Sequence, residues 1–261
     1  MKHKLYIFWS YFYFHCKATA FFKFNFLLKN ISNTIYQALG VLSLFIIFKH
    51  LPQAENWNYY ECLFLQGYAN CVIATFHLFF SGFTNFASKY LYSREYDIVL
   101  MRPVPSLLQV MAANISIDRL PNIIVAVLIM VFARVNMQVQ ISVFTILFFL
   151  VFLILNVAVM GCINILLCSI SFSIDMKVNL FVPLMNSFEF ARYPFVLYSK
   201  IIVFAFTFVL PLATVAYLPV GFVLDKIAQS YTLLIPVVYL VVLVPLTLVV
   251  WRRQELKYGG M

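Results

Sequence analysis

The sequence predicts an all-α polytopic membrane protein: an N-terminal interfacial helix followed by six transmembrane helices, with both termini in the cytoplasm. Three observations carry that prediction. Of the 261 residues, 64% are apolar and only 10% are charged, with a mean hydropathy of +0.95, far outside the range of water-soluble domains. The apolar runs are continuous stretches of about 20 residues, not the ten-residue alternating segments that a membrane β-barrel requires. In the six-span arrangement, only Lys49, Arg134 and Lys226 of the eighteen Lys and Arg residues fall on the outer side, a strong positive-inside bias.

The same numbers exclude other classes. So little polar sequence leaves no room for a soluble domain, and residues 1–261 read as a single transmembrane domain. The net charge of +9 is scattered over span ends, so it reads as orientation and membrane-lipid contact and not as a nucleic-acid surface. The five cysteines, Cys16, Cys62, Cys71, Cys162 and Cys168, form no CxxC pair. All but Cys16 lie in or beside apolar spans, where they act as small hydrophobes.

Taken in order, residues 1–28 mix aromatics with His15, Lys17 and Lys23, a pattern suited to a helix lying among headgroups. With no small-residue cleavage site after a clean apolar core, this start reads as retained. The spans are then expected at 31–49, 60–83, 120–139, 141–171, 201–224 and 231–251. The stretch 135–174 carries no formal charge and no Gly/Pro turn, so it holds one long helix. Splitting it would invert the tail and spoil the charge bias. Pro211 and Pro219 predict a fifth span that bends or re-enters, which is tolerated only where protein or water covers the freed carbonyls. Residues 175–199 read as a cytoplasmic connector, and no internal repeat is evident.

Two places hold candidate function. In the second span Gln66, Asn70, His77, Ser81 and Asn85 recur at steps of four and three, with Ala74 in the gap, and so share one helical face. In lipid such a face must turn toward protein or water. It either hydrogen-bonds neighbouring helices or lines a substrate path. Asn156 and Asn164 in the fourth span carry the same two readings. A proton relay from His77 to Glu61 is disfavoured by the sixteen residues between them. The second place is the cytoplasmic loop 84–119, dense in charge for this chain. Its apolar run Ile98–Met101 lies between charges, Pro103 and Pro105 end that run rigidly, and a second short apolar helix starts at Leu107. This pattern favours contact with another protein over a simple interfacial anchor.

No GxxxxGK[ST] phosphate loop, HExxH or GxSxG is present, so the chain has no motif for ATP hydrolysis or metal catalysis. A lipid-modifying membrane enzyme would need an acid–base or metal cluster within the spans, and the sequence offers none. A channel or proton-coupled carrier using the Gln66–His77 stripe remains as the alternative.

Three segments resemble the ABC-2 type permease family, specifically its small six-span members. DIVLMRPVPSLLQV, from Asp97, is similar to that family's cytoplasmic loop, in which an acidic residue precedes an apolar run ending in Arg/Lys-Pro-Val. FARYPFVLYSKIIVFAFTFVLPLATVAYLPVGFVL, from Phe190, resembles a later signature with a mid-span Pro and an outer Tyr-x-Pro. The ending WRRQELKYGGM resembles an aromatic-basic run closing in Tyr and paired Gly. Arg94 stands where the family pattern has a small residue, and no Ser or Ala precedes Gly259-Gly260. The resemblance implies the membrane subunit of an exporter, paired with an identical or homologous permease in a bacterial cytoplasmic membrane. It implies that ATP and Mg are held by separate ATPase subunits, with no cofactor in this chain. It further implies a coupling helix in the 84–119 loop that meets the ATPase through Glu95, Asp97, Arg102, Pro103 and Val104. An amphipathic or hydrophobic cargo, such as a peptide, drug or lipid-like compound, fits the apolar, aromatic spans.

Overall fold

The computed structural model describes Tyr13 and residues 23–50, 57–84, 86–137, 142–172, 186–227 and 233–258. Helix α1 spans Lys23–His50. The expected division between an interfacial helix ending at 28 and a span starting at 31 is absent. No Gly or Pro interrupts residues 23–39, and Asn30 Nδ2 donates to the Phe26 carbonyl at 2.7 Å without breaking the turn. Apart from Tyr13, the expected interfacial helix before residue 23 lies outside the described residues.

Helix α2, Tyr59–Phe80, is started by a reciprocal cap. Asn58 accepts from the Glu61 amide while the Glu61 carboxylate accepts from the Asn58 amide, satisfying two otherwise orphaned donors. It is the central helix: 72% of its membrane-length window is buried, against 17% for α1. The chain then tightens into a 3₁₀ turn at Ser81–Phe83 and loosens into a π-helical turn at Ala87–Tyr92. Two short helices follow, α3 (Glu95–Leu100) and α4 (Ser106–Ala112), then α5 (Leu120–Met137) and α6 (Val143–Ile170). Gly67 lets α5 lie against α2, since a Cβ there would stand 3.1 Å from the Ala126 carbonyl oxygen. The unbroken α6 matches the single long helix expected over 141–171.

Among the described residues five helices are long and apolar enough to cross a membrane, which makes the chain a helical, multi-pass membrane protein. The expected span at 201–224 is not a sixth continuous one. It is divided into α7 (Lys200–Phe208), α8 (Leu212–Val215) and α9 (Tyr217–Val223). Pro211 supplies no amide hydrogen and pushes Leu210 out of the helical region, and a second break falls at Ala216, φ −142°. Leu212, Ala213, Val215 and Ala216 are fully buried, so protein covers this irregular backbone as a membrane interior demands. Helix α10, Ile235–Tyr258, runs on beyond the expected end at 251.

Polar contacts define the two ends of the bundle. At one end Lys29 pairs with Asp118 at 3.8 Å and Tyr258 reaches Asp97, so the start of α1, the 84–119 loop and the end of α10 share a face. At the other, Lys226 pairs with Glu61 at 3.0 Å and Trp57 stacks on Tyr217. The described part of the expected connector, residues 186–199, enters the bundle instead of staying outside it. Phe188 is buried against Phe76, and Tyr193 meets Ser43. A run of aromatic side chains and a medial Pro194 make burial more favourable there than exposure.

Candidate functional site

At the loop end, three residues of α10 grip the two short helices. Trp251, Glu255 and Tyr258 recur at steps of four and three and therefore share one face. Trp251 Nε1 donates to Ser106 Oγ at 3.0 Å, holding α4. The Tyr96 hydroxyl donates to Glu255 Oε1 at 2.9 Å, and the Tyr258 hydroxyl donates to Asp97 Oδ1 at 2.9 Å, holding α3. Buried Gln109 ties α4 back to α3, its Nε2 donating to the Val99 and Val104 carbonyls at 2.9 and 2.7 Å across the proline stop. Phe83, Phe86, Tyr96, Phe172 and Trp251 pack into one aromatic cluster. Burial pushes the Tyr96 hydroxyl above its ordinary value, so it stays a donor at neutral pH.

Of the residues expected to make contacts, Glu95, Asp97, Arg102 and Pro103 are exposed and Val104 is half-buried. Exposed Ile98 and Met101 lie among them. One surface therefore mixes carboxylates, a guanidinium and apolar side chains on a fixed backbone. Arg94 adopts a left-handed conformation, φ 58°, the region that residues lacking a Cβ enter most easily. The departure from the family pattern at Arg94 is thus a position where a small residue would sit without strain.

The polar stripe of α2 divides between two places, and its last residue, Asn85, lies outside the described residues. Ser81 belongs to the base of the loop, donating to the Asn114 carbonyl at 2.6 Å. Gln66 and Asn70 are deeply buried, 1% and 3% exposed, and both amide atoms of each have no hydrogen-bond partner among the described residues. His77 is half-buried, with its ring edge-on to Phe76 at 5.4 Å. Asn156 and Asn164 bond within α6, Asn156 to the Phe152 carbonyl and Asn164 to Cys168 Sγ. The structure therefore does not bind the six polar candidates into one network.

Gln66 of the stripe meets, at Gly40, a face of α1 that sequence reasoning missed: Tyr36, Gln37, Gly40 and Ser43, spaced i, i+1, i+4 and i+7. Each touches a polar group of another element. Tyr36 donates to Glu189 Oε2 at 2.6 Å and lies under the Arg192 guanidinium, 4.7 Å from the ring centroid. Gln37 Nε2 donates to the Asn122 carbonyl at 3.3 Å, and Ser43 Oγ is 3.1 Å from the Tyr193 hydroxyl. A Cβ on Gly40 would collide with Gln66 Nε2. Glu189 and Arg192 form an ion pair. At about 1.5 Å per residue, Tyr36 lies about 10 Å further along α1 than Lys29, so the pair meets α1 beyond its first turns. The signal was available: between Ile35 and Phe48 these are the hydroxyl, amide and glycine positions of an otherwise apolar stretch, on one face.

Among the described residues no group of three or more His, Cys, Asp or Glu could hold a metal. Residues 34–260 match a family model described as ABC-2 family transporter protein. No curated protein and no solved structure matches the chain.

Proposed function

The chain belongs to the ABC-2 transporter family, and on that premise we propose that it is the permease subunit of an ABC exporter in a bacterial cytoplasmic membrane. Two permeases, identical or homologous, form the translocation pathway, and separate ATPase subunits hold ATP and Mg and drive it. The observation that carries this reading is the loop surface of α3. It joins exposed charges to exposed apolar side chains on a backbone clamped by α10, in a chain without a phosphate-binding loop. Such a surface suits a groove on a partner protein, with Glu95, Asp97, Arg102, Pro103 and Val104 as the contact.

The mechanism follows from differential binding. Closure of the ATPases on ATP moves the loop, and the permease pair shifts between inward- and outward-facing arrangements because each ligand favours one of them. A buried polar seam flanked by apolar helices supports an amphipathic or hydrophobic cargo, which can hydrogen-bond inside while its apolar part stays in lipid-like surroundings.

Co-purification with candidate ATPases and measurement of ATP turnover tests the reading. A stable ATPase partner is expected, and failure of every candidate to bind would sink it. Reversing charge with Glu95→Lys or Arg102→Glu is expected to lower coupled ATP turnover about tenfold, with membrane insertion intact. Asp97 also accepts from Tyr258, so Asp97→Lys is expected to cost more than either.

A further inference from the structure

We propose that the last turns of α10 are the positioning element of the loop, with Tyr258 and Glu255 setting the pose in which α3 meets its partner. The proposal rests on the reading of that loop as the ATPase contact. Its physical basis is that α3 cannot set its own pose. Six residues are too few for a helix to hold without tertiary contacts. The covalent link from α2 is irregular, passing through a π-helical turn at Ala87–Tyr92 and the left-handed Arg94. Beyond Leu100 the chain turns through Pro103 and Pro105. Neither end transmits direction as a continuous helix would.

The side chains supply what the backbone does not. Tyr96 is fully buried, packed edge-on to Phe172 at 5.2 Å and to Tyr258 at 5.3 Å. Its hydroxyl donates to Glu255, and the neighbouring Asp97 accepts from Tyr258. These anchors stand one turn apart on one face of α10. That helix runs alongside α6, where Thr247 Oγ1 donates to the Cys162 carbonyl at 3.4 Å and Trp251 meets Phe172. A displacement of α3 therefore passes through Glu255 and Tyr258 into α10 and on to α6, and only weakly along the backbone into α2. Asp97 acts on both sides at once, as a contact for the partner and as the acceptor that orients it.

The test uses the full chain in nanodiscs of phosphatidylethanolamine and phosphatidylglycerol, alone and with the ATPase that co-purifies with it. Tyr258→Phe removes one donor and keeps the ring; Glu255→Ala removes the acceptor for Tyr96, and Glu255→Gln keeps one. Amide hydrogen exchange across residues 95–101 is expected to rise on the order of tenfold in Tyr258→Phe and Glu255→Ala, with α6 amides unchanged and Glu255→Gln near wild type. With the ATPase bound, kcat for ATP is expected to fall in the first two variants while its KM and the affinity between the two chains hold. Unchanged exchange in both, or Glu255→Gln behaving as Glu255→Ala, would overturn the proposal. So would equal loss of affinity and kcat, which marks a merely structural role. If wild type captures no ATPase, the proposed function fails, while the exchange measurement alone still decides whether α10 positions the loop.

Discussion

At the loop end, the hydroxyls of Tyr96 and Tyr258 and the indole of Trp251 each reach a partner, and a continuous ring cluster buries Tyr96 and Trp251. Deeper in the bundle, Gln66 and Asn70 bury four amide atoms with no partner among the described residues, and Gln37 Oε1 and Asn122 Oδ1 add two more. Among the described residues, the contrast is between a network in which Gln109 Oε1 is left unpartnered but the anchoring hydroxyls and indole are paired, and a seam in which the amides of Gln66 and Asn70 are unpaired. Satisfied buried networks rigidify what they touch. A buried donor or acceptor left unpaired raises the energy of its arrangement by about 1–3 kcal/mol, so a rearrangement or cargo that pairs these amides is favoured. The chain is held firmly where α10 meets the loop and leaves polar groups unpaired deeper in the bundle.

Substitutions can break that contrast, beginning at the stiff end. Trp251→Ala removes the ring that joins α10 to Phe83, Phe86 and Phe172, and is expected to cost about 3–5 kcal/mol, measured as denaturant unfolding in micelles. A cost no greater than that of an exposed aromatic would remove the loop end's claim to rigidity.

Next in size is the ion pair of Glu189 and Arg192. Glu189→Ala leaves Arg192 without its ion partner, with its Nε already unpartnered, at an expected cost of about 1–2 kcal/mol, between that of an exposed and a buried pair, because the Glu189 side chain is 35% exposed. The double variant Glu189→Gln/Arg192→Met is expected to recover most of it. If the single and double variants unfold alike, the pair contributes nothing and the seam is held by packing alone.

The seam itself predicts the opposite sign. Gln66→Leu replaces two unpartnered amide atoms by an apolar group of similar shape, so stability is expected to rise by about 1–2 kcal/mol. Cargo-stimulated ATP turnover is expected to fall in the same variant. Loss of stability would mean that these amides are paired in the membrane, and the contrast would close. The smallest effect sharpens the loop: Arg94→Gly relieves a left-handed conformation that costs a side chain about 1–2 kcal/mol. It also adds chain entropy worth about 0.5–1 kcal/mol to the unfolded state. A net gain of about 0.5 kcal/mol is expected, visible as a small rise in melting temperature.

Much of this was readable along the chain. The unbroken α6 follows from forty uncharged residues without a turn, and the break before α8 is foreshadowed by Pro211. The two short loop helices follow from Ile98–Met101, the proline stop and the run from Leu107. The Gln66–Asn70 face was legible because a 3.6-residue period is a local property. Its counterpart on α1 was not singled out, although Gln37, Gly40 and Ser43 carry the same kind of signal. Residues 186–199 were misplaced outside the bundle because Glu189 and Arg192 read as connector charges until Tyr36 is seen to receive them.

Local composition and period therefore determined that this is a helical multi-pass membrane protein and that its charged loop stands apart from its spans; the likeness to the ABC-2 family came from its short motifs and the family match. Lipid imposes that outcome on any chain with such long apolar runs, since every backbone polar group within the bilayer has to be satisfied internally. Only the tertiary structure decided which side chains hold the loop and which are left unpaired. Tyr96 and Glu255 lie 159 residues apart, and Asp97 and Tyr258 161. No spacing rule reaches across that distance, because the partners meet only after α2, α6 and α10 have packed side by side.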